Sequence, residues 1–288
     1  MCVELRKLHC NEAIRISCKC QKYLLPLTNV INTGGYEFML SYIKKVEDMS
    51  LNAWPSHQIQ IYDGWLLRFS YFYTHRTNSV EQIGTSTIPL DEKISFCENI
   101  YRHWGTPCIF KISPLIDPAF DQKLASMGYR IAHPTETKTM NLSQFVPSDL
   151  SVRVNLDREI SWNWLDALFS FKGTTSMIHR RIVPTMYAAI PKDTVAASIT
   201  QDNRIVAIGL GILDRDHIGL YAIHVDPAYR RRHYGHAICQ SILMEGIRQG
   251  ATRAYLQVVP DNVSAKNLYR NLGFEDCYNY WFRLKNVR

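Results

Sequence analysis

No apolar run in the 288 residues approaches the roughly 18 needed to cross a bilayer, and Asn11, Glu12 and Arg15 interrupt any signal-like segment at the N-terminus. A cytoplasmic protein without membrane contact is the expectation. Paired CxxC motifs are also missing. Cys2, Cys10, Cys18 and Cys20 crowd the first twenty residues beside His9, at a spacing foreign to structural zinc sites. Neither a metal nor a disulfide framework is expected, and Cys97, Cys108, Cys239 and Cys277 read as buried thiols. Charge of one sign is not in large excess. Thirty-three Lys plus Arg against 26 Asp plus Glu leave +7, too modest to require a nucleic-acid partner.

What is present is an ordinary globular composition, 46% hydrophobic and 11% aromatic, in a chain long enough for two domains. Residues 1–38 show no clean period and read as a poorly ordered extension. The codons of Gly34-Gly35 have the form GGNGGN, which can spell a purine-rich ribosome-binding sequence shortly before Met39. The extension is therefore expected to be translated upstream sequence, a reading that the mass of the protein made from its own gene tests. From Met39 a helical pattern runs through Tyr42, Ile43, Val46 and Met49.

Asp63-Gly64 joins two strands as a hairpin, 58–62 and 65–70, and a third extended piece surrounds 77–80. A helix capped by Asp91, a buried strand over 108–112, a helix stopped by Gly128 and a strand over 135–142 complete a first α/β half. The polar segment 145–149, with Pro147, predicts a linker, which divides the chain into domains 39–146 and 147–288. The second half reads as a strand at 152–156, helices over 157–171 and 176–190, strands over 194–200, 204–213 and 218–225, then helix, strand, helix and strand to the end. Both halves close alike: helix, Gly105, strand, helix and Met127-Gly128-Tyr129 match helix, Gly250, strand, helix and Leu272-Gly273-Phe274. This is a diverged internal repeat.

Chemistry concentrates where the apolar strand ending at Val225 runs through Arg230-Arg231-Arg232 into an amphipathic helix carrying Ile238, Ile242, Leu243 and Ile247. A helix N-terminus offers unpaired N–H groups and about half a positive charge, so a pyrophosphate is held by amides while arginines neutralise its outer oxygens. A solvated basic loop is the plainer alternative. The segment Arg230-Arg-Arg-His-Tyr-Gly235 resembles the [Q/R]-x-x-G-x-[G/A] motif of the Gcn5-related N-acetyltransferase (GNAT) superfamily, with His233 in place of the first glycine. His233 is expected to be tolerated because backbone in ordinary right-handed space needs no glycine to present its N–H. The run from Leu256 through Asn262 and Tyr269 to Gly273-Phe274 resembles the strand, helix and closing strand that follow in that superfamily.

The resemblance implies two GNAT-like α/β (α+β) domains, each a mixed, mostly antiparallel sheet flanked by helices, with a splayed parallel strand pair in the C-terminal one. It implies acetyl-CoA as cosubstrate: Ile223 and Val225 supplying backbone groups to its pantetheine arm, Arg230, Arg231, Arg232, His233, Tyr234, Gly235, His236 and Ala237 holding the pyrophosphate, and Asn262 beside the arm. Asn262 also suits a helix N-cap. Tyr269 matches the tyrosine that protonates the departing CoA thiolate, and its alternative is a packed aromatic.

No carboxylate stands on the strand 218–225, so Tyr221, His224, Asp216 or water are the candidates for taking the amine proton. Alternation places His224 opposite Ile223 and Val225. The first half has no arginine cluster around Gly84-Thr-Ser-Thr-Ile-Pro, and Leu124 stands where the repeat puts the tyrosine, so a degenerate copy is expected. Trp54, Trp65, Arg68, Tyr73, Arg76 and Asn78 are its candidate acceptor-lining residues. The expected activity is acetyl transfer to an amine on a small molecule or a protein, without metal or nucleic acid. The rival is a non-catalytic acyl-CoA-binding or regulatory protein. The sequence leaves the acceptor and the oligomeric state open.

Overall fold

The computed structural model describes residues 33–287, so the cysteine-rich first twenty residues and most of the 1–38 extension lie outside it. Helix α1 (Thr33–Ala53) begins six residues ahead of Met39, its two glycines falling in the first turn, where amides are unpaired in any helix. The hairpin β1 (Gln58–Tyr62) and β2 (Trp65–Phe69) turns at Asp63-Gly64 as expected. A 3-10 turn, His75–Thr77, precedes the short β3 (Val80–Gln82), so the third extended piece starts later than its β-branched residues suggest. Helix α2 (Leu90–His103) has Pro89 at its N-cap. Asp91 is therefore not the cap; it lies inside the first turn and pairs with Lys123 at 2.6 Å. Strand β4 (Cys108–Ile112), helix α3 (Pro118–Ser126) and strand β5 (Arg130–Asn141) follow.

The second half opens with β6 (Asn155–Asp157), α4 (Trp162–Lys172) and α5 (Met177–Ala188), the helices capped by Ser161 and Ser176. Helix α4 starts five residues later than read from the sequence because the Ser161 hydroxyl accepts from the Trp164 N–H. Strands β7 (Thr194–Gln201), β8 (Arg204–Asp214) and β9 (His217–Val225) lead to α6 (Tyr234–Arg248), β10 (Arg253–Val258), α7 (Val263–Asn271) and β11 (Glu275–Lys285). No helix among the described residues is long and apolar enough to cross a membrane.

All eleven strands form one mixed sheet in the order β1-β2-β3-β4-β11-β5-β10-β9-β8-β7-β6. The order shows the internal repeat and a feature the sequence does not announce. Each half has one parallel pair, β3 with β4 and β9 with β10. Beside β4 lies β11 from the second half, and beside β10 lies β5 from the first. The halves thus exchange their last strands, and β5 and β11 pair with each other at the centre.

One face of the sheet carries α1, α4 and α5 over Tyr221, Tyr255 and Tyr280. The other carries α6 and α7 over the second half's strands, and α2 and α3 over the first half's. Helix α6 lies close on the sheet. A Cβ at Gly209 would collide with Ile238 and Ile223, and one at Gly246 would come within 2.8 Å of Ile218. This contact sets where the N-terminus of α6 sits.

Candidate functional site

Strand β9 separates from its neighbour partway along. Its register with β10 ends at Leu220 opposite Leu256; beyond that β10 continues beside β5, while Tyr221 to Val225 pair only with β8. One edge of the backbone from Tyr221 to Val225 is left facing a slot, as expected for the splayed pair. The register with β8 slips between Leu210 and Ile208, where Ala222 takes a positive φ of 50°, marking a bulge. The bulge has a chemical consequence. Strict alternation would put Tyr221 on the face of Ile223 and Val225. Instead Ile223 and Val225 pack towards α6, while Tyr221 packs under α1 and α5. His224 lies 6.5 Å from Phe171 of α4, the side opposite Ile223 that alternation predicts.

The segment after β9 delivers the three arginines to the mouth of this slot. Asp226 accepts from the Ala228 N–H at 2.9 Å and starts a 3-10 turn, Pro227–Tyr229. Arg230, Arg231 and Arg232 are exposed and form no ion pair among the described residues; Arg232 lies over the Tyr229 ring at 5.0 Å. His233 is the N-cap of α6 with φ 57° and ψ 14°. This corrects the expectation of right-handed backbone: the chain must reverse sharply here to aim the next amides outward, which is the geometry a glycine adopts without penalty.

The amides of His233, Tyr234, Gly235 and His236 have no acceptor among the described residues. By contrast α3, α4, α5 and α7 have a capping Asp, Ser, Ser or Asn. An uncapped helix start with free amides and three guanidinium groups outside any ion pair has the geometry to cradle an anion. Gly235 lies against Leu268 and Val225, so a Cβ there would press on α7 at 3.3 Å. A cleft of about 290 Å³ adjoins the cradle, lined by Ser148 to Val152 with His233, His236 and Ala237. A larger one, about 520 Å³, lies between Ile190 to Asp193 and Leu213 to Arg215, away from the cradle.

Tyr269 is buried on α7 and its ring meets Phe274 edge-on, 6.1 Å between centroids. Its hydroxyl has no hydrogen-bond partner among the described residues. Burial, with Cys239 adding to it, pushes its pKa up, so it stays a protonated phenol. Asn262 acts as the N-cap, accepting from the Ala265 N–H at 3.1 Å. Tyr221 donates to the Tyr255 hydroxyl at 2.7 Å and burial raises its pKa. Burial, and secondarily Lys172, lowers His224 to about 4, so its imidazole is neutral near pH 7.

The first half contributes directly to the face on which Tyr221 and His224 lie. Trp54 packs edge-on against Tyr221 at 6.2 Å, and Arg76 Nε donates to the Tyr280 hydroxyl at 2.8 Å. Tyr73 accepts from Lys172 Nζ at 2.7 Å. The other three candidates have structural roles. Trp65 lies in the core between Phe110 and Phe120, Arg68 donates to the Arg76 and Trp54 carbonyls, and Asn78 accepts from the Ser70 and Phe72 amides. Sequence reasoning missed Lys172, Tyr255 and Tyr280. Nothing local marks them, since strand exchange and the α4 packing bring them here.

The profile of a family described as "Probable histone acetyltransferase Rv0428c C-terminal" matches residues 40–282. The chain is 23% identical over 253 residues to the uncharacterized N-acetyltransferase YobR of Bacillus subtilis, a match covering 84% of this chain and 98% of that protein. In fold it is similar to a GCN5-related N-acetyltransferase from Kribbella flavida, with a TM-score of 0.63 at 14% identity over 85% of this chain and 95% of that one. It is also similar to a tandem GNAT protein from the clavulanic acid biosynthesis pathway, with a TM-score of 0.64 at 10% identity over 92% of this chain and 98% of that one.

Proposed function

The chain belongs to the GCN5-related N-acetyltransferases, within the family of the Rv0428c C-terminal region, and on that premise we propose that it moves an acetyl group from acetyl-CoA directly to the nitrogen of an amine acceptor. The observation that carries this reading is the pairing of free amides at His233 to His236 with the slot left open along Tyr221 to Val225. A diphosphate fits the first and an extended amide-bearing arm fits the second. When bound, acetyl-CoA supplies a thioester, whose acetyl carbon is the electrophile.

In this reading Arg230, Arg231, Arg232 and the amides to Ala237 hold the diphosphate. The exposed backbone of Ile223 and Val225 pairs with the arm, and Asn262 faces it with the amide nitrogen that its capping role leaves free. As the carbon–sulfur bond breaks and the carbon–nitrogen bond forms, sulfur needs a proton and nitrogen must lose one. Tyr269 gives the first: burial keeps its phenol protonated, and no protein group competes for its hydrogen. His224 takes the second, because it is neutral above about pH 4 and faces the acceptor side. Tyr221, a buried phenol donating to Tyr255, shapes that side and does not act as the base.

Thermal unfolding with and without millimolar acetyl-CoA tests the cofactor site, since a ligand at 100 times its dissociation constant adds about 2.7 kcal/mol to the native state. A rise in midpoint is expected, followed by CoA release with an amine panel. Tyr269→Phe should lower kcat about 100-fold or more with the midpoint shift intact. Unchanged turnover removes Tyr269 from the mechanism. A shift without turnover of any amine returns the non-catalytic binding reading.

A further inference from the structure

The acceptor face carries more positive charge than it balances. Four cations lie along the seam between the halves: Arg68 donates to the Arg76 carbonyl, Arg76 to the Tyr280 hydroxyl, Lys111 sits over the Tyr280 ring and Lys172 donates to Tyr73. Among the described residues two carboxylates meet them. Glu47 lies 2.5 Å from Lys111 and accepts from Tyr278, and Glu81 lies 4.0 Å from Lys111 and within electrostatic reach of Arg68. Among the described residues Arg76 and Lys172 form no ion pair.

The Arg76 guanidinium is held at one point, by Nε on the Tyr280 hydroxyl, which in turn donates to Gln257 at 3.1 Å. Its two terminal nitrogens have no hydrogen-bond partner among the described residues. Burial works against its charge, and Tyr280, Tyr221 and Glu47 more than offset that effect. Burial, and secondarily Arg76, pulls the Lys172 pKa down, so the two cations lie within electrostatic reach of each other. Beside them, the Trp54 indole N–H is buried without an acceptor although its ring packs on Tyr221. The terminal nitrogens of the Arg76 guanidinium and the Trp54 indole N–H are therefore donors near Tyr221 with no acceptor among the described residues, and Lys172, held on Tyr73, adds a second positive charge within electrostatic reach of Arg76.

We propose that this is the anchor for a carboxylate on the acceptor, so that the natural acceptor is an amine that also bears a carboxylate, held by Arg76 and drawn in by Lys172. The proposal rests on the acetyl-transfer reading above and deepens it. A planar carboxylate matches the two free nitrogens of a guanidinium. With the carboxylate on the Arg76 side of Tyr221 and the splayed strand on the other, the amine of a small amino acid faces the slot. The α-carboxylate of a free amino acid and an acidic side chain near the N-terminus of a peptide share this chemistry.

The test uses the full-length protein with three probe sets: free amino acids, their C-terminal amides and decarboxylated amines, and short peptides with or without Asp or Glu at the second position. CoA release is followed for each, and in parallel each probe's stabilisation of the cofactor-free protein is read by thermal unfolding. Carboxylate-bearing amines should be favoured over their amides by about 10- to 100-fold in kcat/KM. Arg76→Gln should remove that preference chiefly through KM, and Lys172→Ala should reduce it less. A preference among the peptides but not the amino acids assigns the side-chain source. The Arg76→Gln midpoint with acetyl-CoA confirms that the variant folds, and Arg76→Lys restoring part of the preference guards against a packing effect.

Equal or better use of the amides overturns the proposal. So does a preference that survives Arg76→Gln, or acetylation of no carboxylate-bearing amine by protein that acetyl-CoA stabilises. If acetyl-CoA neither stabilises the protein nor is consumed, the acetyl-transfer reading fails instead. The carboxylate anchor then stands or falls on whether amino acids stabilise the wild type and not Arg76→Gln.

Discussion

Two helices of this molecule begin just after the outer strand of a parallel pair, and the loops that lead into them are built differently. In the second half, the loop before α6 holds three unpaired arginines, and the amides from His233 to His236 have no acceptor. In the first half, the loop before α2 reads Ile83-Gly-Thr-Ser-Thr-Ile-Pro89, and its Ile83, Gly84, Thr87 and Ile88 amides are already occupied. The Asp63 carboxylate, reaching in from the β1–β2 turn, accepts from the Thr87 and Ile88 N–H groups at 2.9 Å and from the Thr87 hydroxyl. Lys93 lies 3.3 Å from the same carboxylate. The Ile88 amide is the leading cause that holds Asp63 down at about 2, outweighing burial, with Thr87 adding to it. Where the loop before α6 leaves its amides open, the loop before α2 is closed by a carboxylate of the same chain.

The largest expected effect comes from separating the two halves. Residues 147–288 alone lack β5 beside β10 and both partners of β11, so they should be insoluble or melt without a cooperative transition, and co-expression with the first half should restore folding. Cooperative unfolding of the isolated half would show the strand exchange to be dispensable. Next in size, replacing Arg230, Arg231 and Arg232 by alanine should weaken acetyl-CoA about 10- to 100-fold and flatten the salt dependence of the midpoint shift. An unaltered shift would mean that the free amides alone hold the ligand.

Asp63→Ala tests the closed loop. It should lower the unfolding midpoint at neutral pH yet leave one acetyl-CoA bound per chain by calorimetry, because the opened loop has no arginine. A second equivalent would break the contrast between the halves. Because its folded pKa is depressed, Asp63 contributes fully above about pH 4, and that contribution is lost as pH falls through about 2. The mutant's deficit should shrink over the same window. The smallest effect belongs to His233→Gly. Relief of left-handed strain, about 1–2 kcal/mol, outweighs the entropy a glycine gives back to the unfolded chain, so a net gain of about 0.5–1 kcal/mol is expected in denaturant titrations.

Much of this was legible because it is local. The Asp63-Gly64 hairpin, the helix starting near Ser176, the Asn262 cap and the helix after the arginines each depend on a few neighbouring residues, and each stands close to where the sequence puts it. The errors share one cause. Asp91 looked like a cap until Pro89 took the position, and His233 looked right-handed until the reversal into α6 required otherwise. In each case a packing requirement from elsewhere outweighed the local preference.

The sequence by itself determined the α/β class, the repeat, the basic helix start and the Tyr269 motif, since periodicity, turn chemistry and motif spacing are written within short windows. Only the tertiary structure decided that β5 and β11 change places, that Asp63 closes the first half's loop, and that Arg76 and Lys172 are brought to Tyr280 and Tyr73 on one face of the sheet. These contacts join residues tens to hundreds of positions apart. Their free energy depends on which surfaces the folded sheet brings together, and no local pattern in the chain encodes that.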